Sequence, residues 1–309
     1  MKNVTRIKVV GVGGSGCNTV SRMAKSRIRG VELVAINTDN QDLKKANADY
    51  HIRIGRNLTR GLGAGMNPEI GRKSAEEQRE EISKLLKGSD MVFVACGLGG
   101  GTGSGAAPIV AEIAKKAGAL TVGVVTKPFS FEGVSRTRIA ENSHRLLKKK
   151  VDALLAIQND KLLSIVEPNT TVVNAFSVCD DILRQAVQGI SDLILLPGII
   201  NVDFANVKTI MKDSGSALFG VGYAKGENRA QKAAISAIRS PLLDVSPKGA
   251  KGVLFNISGG KDMSLAEIDE ISRIITGEIS PDARIVFGAV YDDKLKKGEI
   301  KVTVIATGF

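Results

Sequence analysis

Two runs of glycine carry the clearest chemistry in the sequence. Gly11-Val12-Gly13-Gly14-Ser15-Gly16-Cys17-Asn18 closes the apolar, strand-like run IKVVGV, and Gly97-Leu98-Gly99-Gly100-Gly101-Thr102-Gly103-Ser104-Gly105 follows a second such run, MVFVAC. Each precedes a segment of helical pattern. Glycine at such a junction lets backbone N–H groups approach an anion at a helix N-terminus. The first run alone fits a nucleotide phosphate, the dinucleotide fingerprint Gly11-x-Gly13-x-x-Gly16 with Asp39 as the ribose acid, or a plain tight turn. In the second, six residues of nine are glycine. No packing role is apparent for so many, and each costs about 1 kcal/mol against Ala in regular structure. The backbone is therefore expected to be the working part. Two cradles on neighbouring strands suit a triphosphate better than one pyrophosphate. Thr102 and Ser104 add hydroxyls, and Gly61-Leu62-Gly63-Ala64-Gly65 is a third glycine-rich segment able to close over the same ligand. GxxxxGK[ST] is absent, which excludes a P-loop lysine; charge compensation falls to backbone dipoles, Mg²⁺ and Arg136.

The elements that must position these loops follow from hydrophobic period. Residues 7–12, 31–37, 91–96, 120–126 and 152–157 read as buried strands, and Glu69 to Leu86, Ala106 to Ala117 and Val134 to Lys149 as helices, with a further helix from Asn18 to Lys25. That alternation predicts an α/β, Rossmann-like parallel sheet over residues 1–171. Val172 to Leu196 predicts one long central helix stopped by Pro197 and Gly198. Residues 197–309 predict a smaller α+β domain, with four strands (216–223, 252–258, 283–291, 299–307) and helices at 228–240 and 264–276.

Composition narrows the class. The 309 residues are 43% hydrophobic and 24% charged, which excludes a disordered chain, and no apolar run reaches the roughly 20 residues of a membrane span. A cytoplasmic protein without membrane insertion is expected, with Cys17, Cys96 and Cys179 as reduced thiols. The net charge is +11, yet there is no Trp and aromatics are 4%. Stacking platforms for bases are scarce, so nucleic-acid binding is not expected. A nicotinamide oxidoreductase needs a proton donor, and the only histidines, His51 and His144, flank no site motif.

GGGTGSG (99–105) resembles the signature loop of the tubulin/FtsZ GTPases. NTD (37–39), TRGLGAG (59–65), TKPFSFEG (126–133), QND (158–160), LRQAVQGISDLI (183–194) and NVDFANVKTIM (201–211) extend the likeness to the bacterial cell-division members across nearly the whole chain. The resemblance implies the tubulin/FtsZ fold and head-to-tail self-assembly into protofilaments of a septal ring. It also implies GTP bound with Mg²⁺ (or K⁺), no metal ligated directly by the protein, and hydrolysis at the joint between subunits. Position by position it assigns Gly13, Gly14, Ser15, Gly16, Cys17, Asn18, Gly99, Gly100, Gly101, Thr102, Gly103 and Ser104 to the phosphates. Gly63, Ala64 and Gly65 border the γ-phosphate. Glu132 and Arg136 take the ribose and phosphates, with Arg22 in the first helix nearby. Asn159 and Asp180 read guanine, Asp180 rather than Asp181 facing the ring, with Phe176 against its face. The catalytic loop, NxDxxD in the family, is here Asn201-Val202-Asp203-Phe204-Ala205-Asn206, so the second acid is an amide. This departure implies slow hydrolysis, or in the alternative a GTP-dependent filament with almost none. The family's membrane tethers dock on a tail for which nothing follows Phe309.

Overall fold

The computed structural model describes residues 5–26, 28, 30–163, 169–196, 198–240 and 247–309. Two compact units are formed by residues up to Gln188 and from Gly189 onward.

The first unit alternates strand and helix: β1 (Ile7–Val12), α1 (Gly13–Lys25), β2 (Val31–Asn37), α2 (Asn40–Lys45), β3 (Tyr50–Arg53), α3 (Pro68–Glu77), α4 (Arg79–Leu86), β4 (Met91–Gly97), α5 (Gly101–Lys116), β5 (Leu120–Lys127), α6 (Val134–Lys148), β6 (Ala153–Gln158) and α7 (Asn159–Leu162). Its strands run in the order β3-β2-β1-β4-β5-β6 and all pair in parallel. Parallel strands covered on both faces are apolar along most of their length, and every residue of β1 (IKVVGV) is buried, including Lys8, whose ammonium pairs with Glu32. The long helix α8 (Val172–Leu195) begins in this unit; Pro197, expected to stop it, lies outside the described residues.

Two expectations are corrected here, and two elements are added. The helix expected over 69–86 is two, because Gln78 leaves helical geometry (φ −105°, ψ 22°) and its Oε1 accepts from Gly55 N at 2.6 Å. Asn67 caps α3 through bonds from Glu69 N and Ile70 N, with Pro68 in the first turn. Secondly, α1 and α5 begin at Gly13 and Gly101, five residues before the expected Asn18 and Ala106. Runs that read as loops are first helical turns, made glycine-rich by the close approaches described below. The added elements, α2 and β3, are too short to show a period in the sequence.

The second unit contains β7 (Gly198–Ile200), α9 (Phe204–Met211), β8 (Gly215–Lys225), α10 (Arg229–Ile238), β9 (Gly252–Gly259), α11 (Leu265–Gly277), β10 (Arg284–Tyr291) and β11 (Glu299–Thr307). Its order is β8-β11-β9-β10-β7, with only β9 and β10 parallel. The three-residue β7 adds a fifth strand to the four expected. Alanines 230, 233, 234 and 237 of α10 pack into one core with Ile268, Ile271 and Ile275 of α11. Small residues let α10 sit close: a Cβ on Gly222 of β8 would stand 1.9 Å from Ala233 O. No helix among the described residues is long and apolar enough to cross a membrane.

Candidate functional site

In the first unit the C-terminal ends of β1, β2, β4, β5 and β6 share one edge, where a parallel sheet opens a crevice. A cavity of about 500 Å³ lies there, lined by Val12, Asn37, Gly97, Thr126 and Asn159 from the strand ends. Two helices start at it. Neither α1 nor α5 has a side-chain N-cap or an acid in its first turn. Their free N–H groups and the positive ends of two helix dipoles therefore meet the cavity without an internal counter-charge.

The glycines prove to have a packing role, contrary to expectation. A Cβ on Gly101 would stand 2.4 Å from Gly65 O, on Gly103 2.7 Å from Gly97 O, and on Gly105 1.9 Å from Pro68 O. Bare backbone lets α5 lie against α3 and the Gly63–Gly65 segment. Gly13 takes φ +75°, and a Cβ there would stand 2.9 Å from Gly103 N, so the two cradles touch directly. Of the loop residues expected at phosphates, Gly13, Gly14, Ser15, Gly63, Ala64, Gly65, Gly100, Gly101, Thr102 and Gly103 line the cavity. Gly16, Cys17, Asn18, Gly99 and Ser104 do not. Gly16 is pressed toward Ala95 O, where a Cβ would come within 2.5 Å. Cys17 is buried with its thiol pushed up to about 12, mainly by burial and then by Asp42, and Asn18 is exposed on α1. Ser104 Oγ accepts from Gly99 N at 2.8 Å, which shapes the turn. Thr102 Oγ1 meets Thr38 Oγ1 at 2.7 Å.

At the other end of the cavity lie Asn159, Phe176 and Asp180. Asn159 opens α7 and is 4% exposed, with Oδ1 lacking a hydrogen-bond partner. Phe176 meets Phe129 edge-on at 5.4 Å, and Phe131 stacks on Phe129 at 4.9 Å. Asp180 follows Phe176 by one turn of α8 and is 8% exposed. Burial pushes its carboxyl up, against the Arg22 guanidinium and the hydrogen bonds from Arg22 and Thr19 that draw it down. Asp181 is off the cavity; burial acts to raise it, but bonds from Arg184 and Gln185 at 2.6 Å each hold it below the usual carboxylate range. Arg22 does not line the cavity and reaches Asp180 from behind. Glu132 accepts from Phe129 N and from Arg136 Nη1, both at 3.0 Å, and both Glu132 and Arg136 line the wall.

Several lining residues had no role assigned from the sequence, or, like Asp39, only one under the dinucleotide reading. Asn37, 2% exposed, accepts from Asp39 N at 3.2 Å while its Nδ2 lacks a partner. A polar residue ending a buried strand was the available signal. Asp39 caps α2 through Gln41 N and Asp42 N, and Asp42 also faces the cavity. Cys179, Leu62, Leu98 and Pro128 complete it.

Asn201, Asp203 and Asn206 belong to the second unit and do not line this cavity. Asn201 Oδ1 accepts from Gly198 N at 2.8 Å, bracing the turn. Asp203 stands at the N-cap of α9 but makes no capping bond, so its carboxylate projects from an exposed helix start. Asn206, one turn on, is also exposed. Neither His51, bonded to Ala46 O, nor His144 lines the cavity, so the oxidoreductase reading lacks its proton donor.

The chain is similar to known proteins across both units. The GTPase-domain model of the Tubulin/FtsZ family matches residues 6–167, and the FtsZ-family C-terminal-domain model matches residues 215–309. An FtsZ from M. jannaschii, solved as an empty dimer, is 47% identical over 100% of this chain and 89% of its own, with a TM-score of 0.96. CetZ2 from Haloferax volcanii, solved as a GTPγS-bound protofilament, is 22% identical over 98% of this chain and 92% of its own, with a TM-score of 0.83. That second likeness bears on fold alone. The FtsZ relative is archaeal, so the matches lend no support to the bacterial affiliation expected from the motifs.

Proposed function

The chain belongs to the tubulin/FtsZ family of filament-forming cytoskeletal GTPases, and from that premise we propose that it binds GTP in the cavity of its first unit and hydrolyses it when a second copy lends Asp203. The observation that carries the reading is a combination. Two uncapped helix N-termini open on a cavity that holds two buried amides, Asn37 and Asn159, each with an unpaired polar atom. Buried polar atoms without partners are costly and rare, and two such amides beside one cavity mark it as a polar site.

In this reading Asn159 and Asp180 select guanine. The carboxylate accepts from N1–H and the 2-amino group, a pairing adenine does not offer, while Phe176 covers the ring. Gly13 to Ser15 and Gly100 to Gly103 hold the phosphates through main-chain N–H groups, and Glu132 and Arg136 flank the ribose side. Arg136 is the one guanidinium among the described lining residues, while Asp39 and Asp42 add two acids. A triphosphate there calls for added positive charge, which Mg²⁺ supplies when bound, with K⁺ a further candidate.

Head-to-tail assembly follows from a pocket in one unit and a loop acid in the other: such a heterologous contact builds open filaments. By family resemblance the filaments serve cell division at a septal ring, with membrane tethers as partners. Asn206 supports slowed turnover. An amide neither carries charge nor takes a proton, so loss of general-base help at its low end of 10²-fold corresponds to about 2.7 kcal/mol. It equally motivates the second reading, a filament that binds GTP and barely hydrolyses it. Phosphate release by this chain and by Asn206→Asp, alongside sedimentation, tests both. A large gain in the variant is expected; equal rates overturn the role given to Asn206, and filaments without turnover favour the second reading. Activity should also vanish below a threshold protein concentration, whereas simple proportionality would refute the shared site.

A further inference from the structure

The carboxylate that reads the base is held from α1, not from its own helix. Thr19 Oγ1, placed between Ser15 O at 3.0 Å and Asp180 Oδ1 at 3.2 Å, serves one oxygen, and Arg22 Nε donates to the other at 3.2 Å. Arg22 is aimed in turn by Nη2 donating to Ser177 Oγ at 2.8 Å. Thr19, Arg22 and Ser177 do not line the cavity, whereas Asp180 does. The guanidinium thus forms the back wall of the base end without reaching the ligand.

We infer that Arg22 is a positioning residue for base selection: with Thr19 it fixes the plane of the Asp180 carboxylate and keeps it anionic, leaving its remaining lone pairs for the two donors of guanine. The inference rests on the assignment of Asp180 to guanine made above. Its chemistry is a matter of donors and acceptors. An ionised carboxylate accepts twice, from N1–H and from the 2-amino group. Once protonated, one oxygen carries a hydrogen and meets the 2-amino group donor to donor. Hypoxanthine lacks that amino group, so ITP suffers less, and the GTP-to-ITP affinity ratio gauges the charge on Asp180.

The neighbours leave Arg22 as the source of positive charge. From α1 Asp180 meets Thr19 and Arg22; on α8 its neighbours are the Cys179 thiol, pushed up to about 12, and Asp181, turned toward Arg184 and Gln185. Glu132 acts on Cys179, and Asn159 is neutral. Burial raises the Asp180 carboxyl while Arg22 opposes it, so removing that charge moves protonation toward neutral pH.

The test is direct binding of GTP and ITP to the whole chain between about pH 6 and pH 8.5. The unmodified protein should hold one ratio throughout. Arg22→Gln keeps hydrogen-bonding reach but not charge. Its ratio should fall as pH drops, by about tenfold per pH unit below the displaced pKa, and recover as pH rises. Arg22→Lys should restore the flat profile. An unchanged ratio in Arg22→Gln at every pH, or an equal loss of both nucleotides at all pH values, overturns the inference. The underlying assignment fails separately: Asp180→Asn would then bind GTP and ITP in the unmodified ratio.

Discussion

Asp180 sits where function and stability pull in opposite directions. Its carboxyl is raised by burial, so in the nucleotide-free fold the ionised form is a cost. A group raised in this way favours the fold below its unfolded pKa and loses that contribution as pH rises through the folded value. Asp180→Asn should therefore weaken GTP binding by about 10- to 100-fold, the loss of one or two charge-assisted hydrogen bonds at roughly 1.5–3 kcal/mol. The melting temperature without nucleotide should not fall at neutral pH. Titration with GTP and a thermal melt of the same sample check both halves. For the same reason GTP affinity of the unmodified chain should decline on acidification below about pH 6, as the carboxyl protonates. The choice of Asp180 over Asp181 was open to the sequence only through family resemblance. Asn37 was passed over, because nothing local distinguishes a strand-ending amide with a free Nδ2 from a solvated one.

At the scale of elements the glycine run between β4 and α5 is a joint as much as a binding loop. Two substitutions separate the roles. Gly105→Ala would drive a Cβ to 1.9 Å from Pro68 O, so α3 and α5 must part; a loss of about 3 kcal/mol or more is expected. Gly100→Ala meets nothing within 4 Å and should alter stability by about 1 kcal/mol or less. Melting temperatures of the pair decide it. The period of apolar residues made the strands and most helices legible. The early starts of α1 and α5 were not, because glycine's propensity argues against helix and only a tertiary neighbour reverses that. Elsewhere α4, α5 and α6 are tied by Glu112, which meets Arg79, Lys116 and the nearby Lys150. Bonds from Lys116 and then Lys150 hold its carboxyl at about 2. A depressed carboxylate contributes stability above its unfolded pKa and loses it as pH falls toward the folded one. Glu112→Gln should then lower the melting temperature at pH 7, with the gap closing between about 4.5 and 2.

For the whole molecule, the decisive matter is that the cavity and the loop acid are carried by different units of the chain. A chain with Asp203→Ala keeps its pocket, and one with Asp180→Ala keeps its loop. If a filament joins the pocket of one copy to the loop of the next, mixing the two should release phosphate well above the sum of each alone. A merely additive rate would count against sharing. Neither partner acid was readable from composition or period: Asp203 heads an exposed helix without capping it, a place open to any surface residue.

The two ends of the cavity are made of different material. One is main chain, shaped by glycines that the core itself requires at Gly101, Gly103 and Gly105; the other is three side chains on α7 and α8. Retargeting this protein to another purine is therefore a matter of a few exchangeable groups. Giving up phosphate recognition would mean rebuilding the scaffold, and diversification under selection should accumulate among the three side chains and spare the glycine backbone.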